Sequence, residues 1–173
     1  MNAFLLLIPF LIIRFGLLSF MNNEALRRAA YFAPVQGGEK TAYFIYQLSN
    51  IGMFLYLLFL TVKVDFSWEF YLGSICYLGG LLLCAIAIVN FSSPNSRGLS
   101  TTGVYKFSRN PMYIAYFVCF MGMALLTHSL VLSVFVLIFQ ISAHWIILSE
   151  ERWCLEKFGE SYRQYMKNVR RYI

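Results

Sequence analysis

The sequence predicts an all-α membrane protein with five transmembrane helices in a single domain, residues 1–173. Sixty per cent of the 173 residues are hydrophobic and 13% are charged, whereas a soluble domain of this length needs a larger polar surface. The charges are also segregated, because residues 1–13, 41–62, 70–96 and 110–149 carry none. Three of these four tracts exceed the roughly 20 residues that a helix needs to cross a bilayer. A soluble globular fold, a disordered chain and a secreted disulfide scaffold are therefore excluded.

The uncharged tracts locate the five spans. We place them near residues 3–20, 41–62, 70–91, 111–126 and 130–149, so that residues 1–100 hold three spans and residues 101–173 hold the last two and the tail. As one helix, residues 110–149 would be roughly twice as long as the bilayer core is thick. This tract must therefore fold back as a helical hairpin at Thr127-His128-Ser129, and we expect its arms to be the most closely paired spans.

The segments that connect and follow the spans carry weaker signals. A short interfacial helix is expected within residues 21–40, between an asparagine cap at Asn22 or Asn23 and the breakers Pro34 and Gly37. From Glu150 onward, apolar residues recur every three or four positions, which predicts an amphipathic helix on the membrane surface. These apolar residues are Leu155, Phe158, Tyr162, Tyr165, Val169 and Tyr172.

The basic residues predict the orientation in the membrane. Segments 21–40 and 92–110 and the tail together carry twelve of the fourteen lysines and arginines, and the opposite side keeps Lys63. By the positive-inside rule, the tail faces the cytosol. The net charge of +6 therefore reflects topology, and no nucleic-acid partner is expected. Arg14 lies inside the first span, where we expect it to snorkel or to pair with a neighbour, and we assign it no function.

Two polar clusters lie at the cytosolic ends of the predicted hairpin. One surrounds Arg109, and the other is the pair Glu150-Glu151. Because a hairpin returns its second arm to the face where the first began, Arg109 and the glutamates should be neighbours. The pair is open to three structural explanations: a direct ion pair with Arg109, solvation, or capping of the tail helix. His144 lies two helical turns before Glu151, and it can equally serve as an interhelical hydrogen-bond partner. Neither the histidines nor the four cysteines show the spacing of a metal site.

These clusters resemble a known family. The elements are Gly103-Val104-Tyr105, then Arg109-Asn110-Pro111-Met112-Tyr113, an apolar hairpin, Glu150-Glu151, Phe158-Gly159, Tyr162 and Tyr165. Their order and spacing resemble the isoprenylcysteine carboxyl methyltransferase and phospholipid methyltransferase superfamily, whose members are integral-membrane enzymes that use S-adenosylmethionine and release S-adenosylhomocysteine. The resemblance implies a cofactor pocket built from Tyr105, Arg109, Asn110, Pro111, Tyr113, Glu150, Glu151, Tyr162 and Tyr165.

The chemistry of these residue types agrees with that cofactor. A glutamate can bind its ammonium group, and Arg109 or backbone N–H groups near Pro111 can bind its carboxylate. Aromatic faces such as Tyr113 suit the adenine ring and the sulfonium cation. The sulfonium is an activated methyl donor, so we expect neither a metal nor a covalent nucleophile. The enzyme must hold methyl and acceptor in line and away from water.

The acceptor is left open between two classes. Members that methylate prenylcysteine carboxylates usually have His where this chain has Asn110, and Arg where it has Ile146. These departures favour a lipophilic amine, such as an amine-headgroup lipid, over carboxyl O-methylation of an isoprenylcysteine-like substrate. An amine must lose a proton, and either Glu151 or His144 could accept it, or burial could lower the pKa of the amine.

Two other classes of protein compete with the methyltransferase interpretation. A non-catalytic membrane assembly protein would explain the spans, but not the coincidence of the two clusters. A small transporter or channel would need a run of ionisable residues, which the spans lack.

Overall fold

The computed structural model describes residues 1–21, 33–95 and 98–172, and within these ranges it is helical, without β-strands. Six helices follow one another in the described chain. They are α1 (Ala3–Met21), α2 (Glu39–Leu57), α3 (Trp68–Ser92), α4 (Pro111–Leu126), α5 (Leu130–Phe158) and α6 (Glu160–Asn168). The interfacial helix expected within residues 21–40 falls largely on residues outside the described ranges.

A helix lies at each of the five predicted spans, but the helices are not equally suited to crossing a membrane. Within the described ranges, α1, α3 and α5 are long and apolar enough to do so. Helix α4 is apolar but has only 16 residues, and α2 is less apolar. The structure thus supports an integral membrane protein with three candidate spans.

Hydrogen bonds and ion pairs define two ends of the bundle. At one end, the Ala3 N–H donates to the Leu60 carbonyl and the Lys63 N–H donates to the Leu126 carbonyl. At the other, Arg152 near the end of α5 pairs with Glu39 at the start of α2, with Nη1 2.8 Å from Oε1. We call the second end the tail end, because α6 and the C-terminal residues lie there.

Helices α3 and α4 pack most closely, which corrects the expectation that the hairpin arms α4 and α5 do so. Close approach is possible because Gly80 and Gly122 lie at the α3–α4 contact. A Cβ atom on Gly80 would overlap the backbone of Cys119, and one on Gly122 would overlap the backbone of Tyr77. Small residues that let two backbones approach are a common device of membrane helix pairs.

The end of α5 also differs from the expectation. We expected a separate tail helix from Glu150, whereas α5 continues through both glutamates to Phe158. Gly159 then breaks the helix with a φ of 54°, a conformation that favours glycine. Helix α6 begins directly after it and turns the chain back over the tail end of the bundle.

Candidate active site

A cavity of about 220 Å³ lies inside the tail end of the bundle. Eight of the predicted site residues line it: Tyr105, Arg109, Asn110, Tyr113, Glu150, Glu151, Tyr162 and Tyr165. They come from the 3-10 turn Gly103–Lys106, the segment before α4, and helices α4, α5 and α6. The predicted hairpin therefore brings its two polar clusters to one cavity, and the break at Gly159 adds the tyrosines of α6.

Local features of the sequence shape the cavity wall before α4. Gly103 has a φ of 58°, and a Cβ atom there would collide with the side chain of Asn90. Oδ1 of Asn90 accepts a hydrogen bond of 2.9 Å from the Val104 N–H. This bond fixes the turn that carries Tyr105 against the end of α3. Pro111 then begins α4 at its first position, which suits a residue without an N–H group.

Glu151 lies between two guanidinium groups. Nε and Nη2 of Arg109 donate to its Oε1 over 3.0 and 2.9 Å. Nε and Nη2 of Arg171 donate to its Oε2 over 3.0 and 2.9 Å. Both carboxylate oxygens are therefore engaged, and the hydrogen bonds that Arg171 donates to Glu151 raise the pKa of Arg171. Of the three structural explanations for the glutamate pair, the direct ion pair with Arg109 is present, and Glu151 is the glutamate concerned.

Arg109 also holds the tail. Its Nη1 donates to the carbonyls of Met166 and Val169 over 3.2 and 2.7 Å, and its backbone N–H donates to the Arg170 carbonyl over 3.0 Å. The Asn110 amide donates to the Arg171 carbonyl over 3.1 Å. Because Arg109 is engaged with Glu151 and two carbonyls, its main visible role is to fasten residues 166–171 across the cavity.

Glu150 is in a different environment from Glu151. It lines the same cavity, and among the described residues its carboxylate accepts a hydrogen bond of 2.9 Å from the Tyr113 hydroxyl. No arginine pairs with it at salt-bridge distance in the part of the chain that the structure describes. Glu150 is thus the carboxylate that remains available to a cationic ligand in this cavity.

Aromatic side chains form the rest of the wall. The Tyr165 hydroxyl donates to the Tyr105 carbonyl, and this bond joins α6 to the turn before α4. The Tyr113 and Tyr116 rings lie 6.1 Å apart. Burial raises the pKa of Tyr105, Tyr162 and Tyr165 above the ordinary tyrosine value. These three hydroxyls are therefore neutral at physiological pH. An acidic side chain among aromatic faces suits a positively charged ligand.

Two of the predicted site residues lie outside the cavity lining. Pro111 is buried as the first residue of α4. Nδ1 of His144 lies 2.8 Å from the Tyr172 hydroxyl, so this histidine meets the tail on another part of α5.

Several lining residues were not among the site residues predicted from the sequence. They include Arg14, Tyr46, Phe91, Tyr116, Trp153 and Lys157. Arg14 is the one with a usable signal, since it is a charge inside an otherwise apolar span. The aromatic residues resemble the many others in the spans, and only the packing of the helices shows which of them face the cavity.

Comparison with known proteins adds the identity of the family. A family model described as phospholipid methyltransferase matches residues 68–161, which is more than half of the chain. That range begins with α3 and extends into α6, so it includes Arg109, Glu150 and Glu151. No curated protein and no solved structure matches the chain at a significant level. The chain therefore belongs to the phospholipid methyltransferase family, and it is an integral-membrane methyltransferase.

Proposed function

We propose that this protein transfers a methyl group from S-adenosylmethionine to the amine headgroup of a membrane lipid, within the cavity at the tail end. The observation that carries the proposal is Glu150, a carboxylate that lines the cavity and has no arginine within salt-bridge distance among the described residues. A phospholipid methyltransferase needs a place for a cationic methyl donor, and this wall has the required charge and aromatic surface.

The residues present fit the cofactor in three ways. Glu150 binds its ammonium group, held in position by the Tyr113 hydroxyl. The first-turn N–H groups of α4, which have no partner within their own helix, receive its carboxylate at Met112 and Tyr113. Tyr105 and Tyr165 offer ring surface to the adenine and the sulfonium. When bound, S-adenosylmethionine supplies an activated methyl group, so the protein contributes position and exclusion of water.

In this proposal Arg109 and Glu151 act on the shape of the site. Arg109 is the link between Glu151 and the carbonyls of the tail, so it closes the cavity and does not bind the cofactor carboxylate. Asn110 supports the same closure through Arg171. Arg109 and Asn110 are therefore positioning residues for the pocket that Glu150 and the tyrosines line.

The acceptor ammonium loses its proton to water as the headgroup enters the cavity, without a dedicated base on the protein. Glu151 is engaged by two guanidinium groups, and His144 contacts Tyr172 away from the cavity lining. Burial of an amine in an apolar site lowers its pKa, and this effect can supply the neutral nucleophile.

We further propose that all five helices α1–α5 span the membrane and that the tail end faces the cytosol. Helix α2 has 19 residues and α4 has 16, which correspond to about 28 and 24 Å of helix. The loops at the ends of α2 and α4 add to the distance that each helix covers across the membrane. Helix α6 buries Tyr162 and Tyr165 and exposes Arg163 and Lys167, as expected of an amphipathic helix at the interface. Cofactor would enter from the cytosol and lipid from the bilayer.

Calorimetric titration with S-adenosylhomocysteine tests this function. Glu150→Gln keeps the size of the side chain and removes its charge, so affinity should fall by about 10- to 100-fold. Glu156→Gln, on an exposed turn of the same helix, makes the same change of charge outside the cavity and should bind like the wild type. Unchanged affinity in Glu150→Gln would contradict the assignment of the pocket, and a folded wild type that binds no ligand would contradict the function.

A further inference from the structure

Lys157 is a basic residue at the mouth of the cavity. Three basic residues line the cavity, Arg14, Arg109 and Lys157, and of these three Lys157 is the exposed one. The side chain of Arg109 is only 7% exposed and is paired with Glu151. In the described part of the chain, no carboxylate lies within salt-bridge distance of Lys157. Its ammonium group is therefore a positive charge that an incoming ligand anion can reach.

Two aromatic rings hold the ammonium group of Lys157. Its Nζ lies 4.5 Å from the centre of the Trp153 ring and 5.4 Å from the centre of the Phe158 ring, which are distances of cation–π contacts. Both aromatic residues also line the cavity. Because Trp153 precedes Lys157 by one helical turn, the lysine side chain points back along α5, toward the apolar part of the helix.

The length of α5 places this ammonium group at the depth of lipid headgroups. Helix α5 has 29 residues, and its uncharged residues 130–149 are enough to cross the hydrocarbon core of about 30 Å. Trp153 comes four residues later, so it lies about 6 Å beyond the core. Headgroups occupy roughly the first 5 to 8 Å outside the core. The ammonium group over the Trp153 ring is therefore at the depth where the phosphates of membrane lipids lie.

Lys157 and Glu150 lie on the same face of α5, and both line the cavity. Two helical turns separate them, which is about 10 Å along the helix. An ethanolamine lipid carries a phosphate and an amine that are two carbons apart. When its phosphate is at Lys157, its amine is directed into the cavity, toward the methyl donor beside Glu150. A cation at the mouth and a carboxylate further inside thus match the charges of the two substrates.

We propose that Lys157 binds the phosphate of the acceptor lipid and thereby selects amines that are attached to a phosphate. The proposal rests on the proposed function above. A lysine ammonium binds phosphate oxygens as a point charge, and it can do so while one side of it stays on the Trp153 ring. An amphiphilic amine without a phosphate lacks this contact and is held less firmly at the mouth.

The test compares two amphiphiles that differ only in a phosphate group, dodecylphosphoethanolamine and 2-(dodecyloxy)ethylamine. Binding to the detergent-purified protein is followed by tryptophan fluorescence, because Trp153 contacts Lys157. The variants are Lys157→Gln, Lys157→Arg and Lys167→Gln. Lys167 is the matched control, since it is an exposed lysine of α6 at the same end of the bundle but does not line the cavity.

The wild type and Lys167→Gln should prefer the phosphate-bearing amphiphile. In Lys157→Gln this preference should fall about 3- to 10-fold, whereas Lys157→Arg, which keeps the charge, should retain it. An unchanged preference in Lys157→Gln would overturn the proposal. An equal loss in Lys157→Gln and Lys167→Gln would also overturn it, because the preference would then come from the overall positive charge of the tail end.

A salt series on the wild type gives a second measurement that does not depend on the folding of a variant. The contact between an exposed ammonium and a phosphate is screened by salt, so the preference should weaken as the ionic strength rises from about 0.05 to about 0.5 M. A preference that is independent of salt would contradict a charge contact at Lys157.

Two further titrations identify the anion and separate this inference from the proposed function. Inorganic phosphate at the concentration of the amphiphile should not displace it, and displacement would assign Lys157 to a soluble phosphate and overturn the lipid role. Lys157→Gln should bind S-adenosylhomocysteine as the wild type does, and weaker binding would assign Lys157 to the cofactor and also overturn it. A wild type that prefers the phosphate-bearing amphiphile but binds no S-adenosylhomocysteine would contradict the proposed function and leave the phosphate site supported.

Discussion

Replacing Glu151 by glutamine should destabilise the protein, whereas the same change at Glu150 should not. The two residues are adjacent in sequence and both line the cavity, but their partners differ. Glu151 receives hydrogen bonds from Arg109 and Arg171, and Glu150 receives its bond from the neutral Tyr113 hydroxyl. Glutamine keeps an acceptor oxygen for Tyr113, but it cannot neutralise two cations.

The structure gives the size of the effect. In the Arg109–Glu151 pair the side chains are 7% and 5% exposed, and Arg171 is 32% exposed. Removing one partner of a buried ion pair costs about 3 kcal/mol or more, because the other charge is left buried without compensation. The partly exposed Arg171 adds about 1 kcal/mol at most, since water screens it. Glu151→Gln should thus lose about 3 to 4 kcal/mol of unfolding free energy, and Glu150→Gln less than about 1 kcal/mol.

Thermal unfolding of the purified variants in one detergent, followed by circular dichroism, measures the difference. For a chain of this length, a loss of 3 kcal/mol lowers Tm by roughly 6 to 12 °C. The double variant Glu151→Gln, Arg171→Gln should be less destabilised than the sum of its single changes, because they share one interaction. A Glu151→Gln protein with the Tm of the wild type would refute the structural role that we assign to this carboxylate.

Three further changes have distinct expected results. Tyr113→Phe removes the hydrogen bond to Glu150, so its affinity for S-adenosylhomocysteine should fall about 5- to 10-fold, with Tm nearly unchanged. An affinity equal to that of the wild type would contradict this prediction. Gly122→Leu places a side chain where α4 meets Tyr77 of α3 and should cost about 3 kcal/mol or abolish folding, so a Tm equal to that of the wild type would exclude the close contact. Truncation after Asn168 removes carbonyl and side-chain contacts with the cavity wall and should weaken S-adenosylhomocysteine binding in the calorimeter. Retained affinity would indicate that the end of the tail serves only as an anchor.

Much of the fold could be predicted because the bilayer imposes a simple rule on the sequence. Uncharged tracts must become helices of about the bilayer thickness, and a helix lies at each predicted position. The turn at residues 127–129 brings Arg109 close to Glu151, as a hairpin requires. The pairing of helices was harder, because α3 and α4 approach through Gly80 and Gly122 and not through any periodic apolar pattern.

The site was predictable where its residues are polar and local. Arg109, Glu150 and Glu151 stand out against apolar surroundings, and all three line the cavity. The different roles of the two glutamates could not be predicted from the sequence. They differ because Arg171, which lies 20 residues after Glu151 in the chain, binds Glu151. Part of the aromatic wall was also hidden, since Tyr46 and Tyr116 are two tyrosines among twelve, and only tertiary packing selects them.

Methyl transfer into lipid tests the central claim most directly. The purified protein is placed in nanodiscs that contain phosphatidylethanolamine or, as the control, phosphatidylcholine, whose amine is already fully methylated. After incubation with methyl-tritiated S-adenosylmethionine, the lipid extract is counted. We expect label in phosphatidylethanolamine with the wild type, much less with Glu150→Gln, and none in phosphatidylcholine. A folded wild type that binds S-adenosylhomocysteine but labels neither lipid would contradict the amine-lipid acceptor.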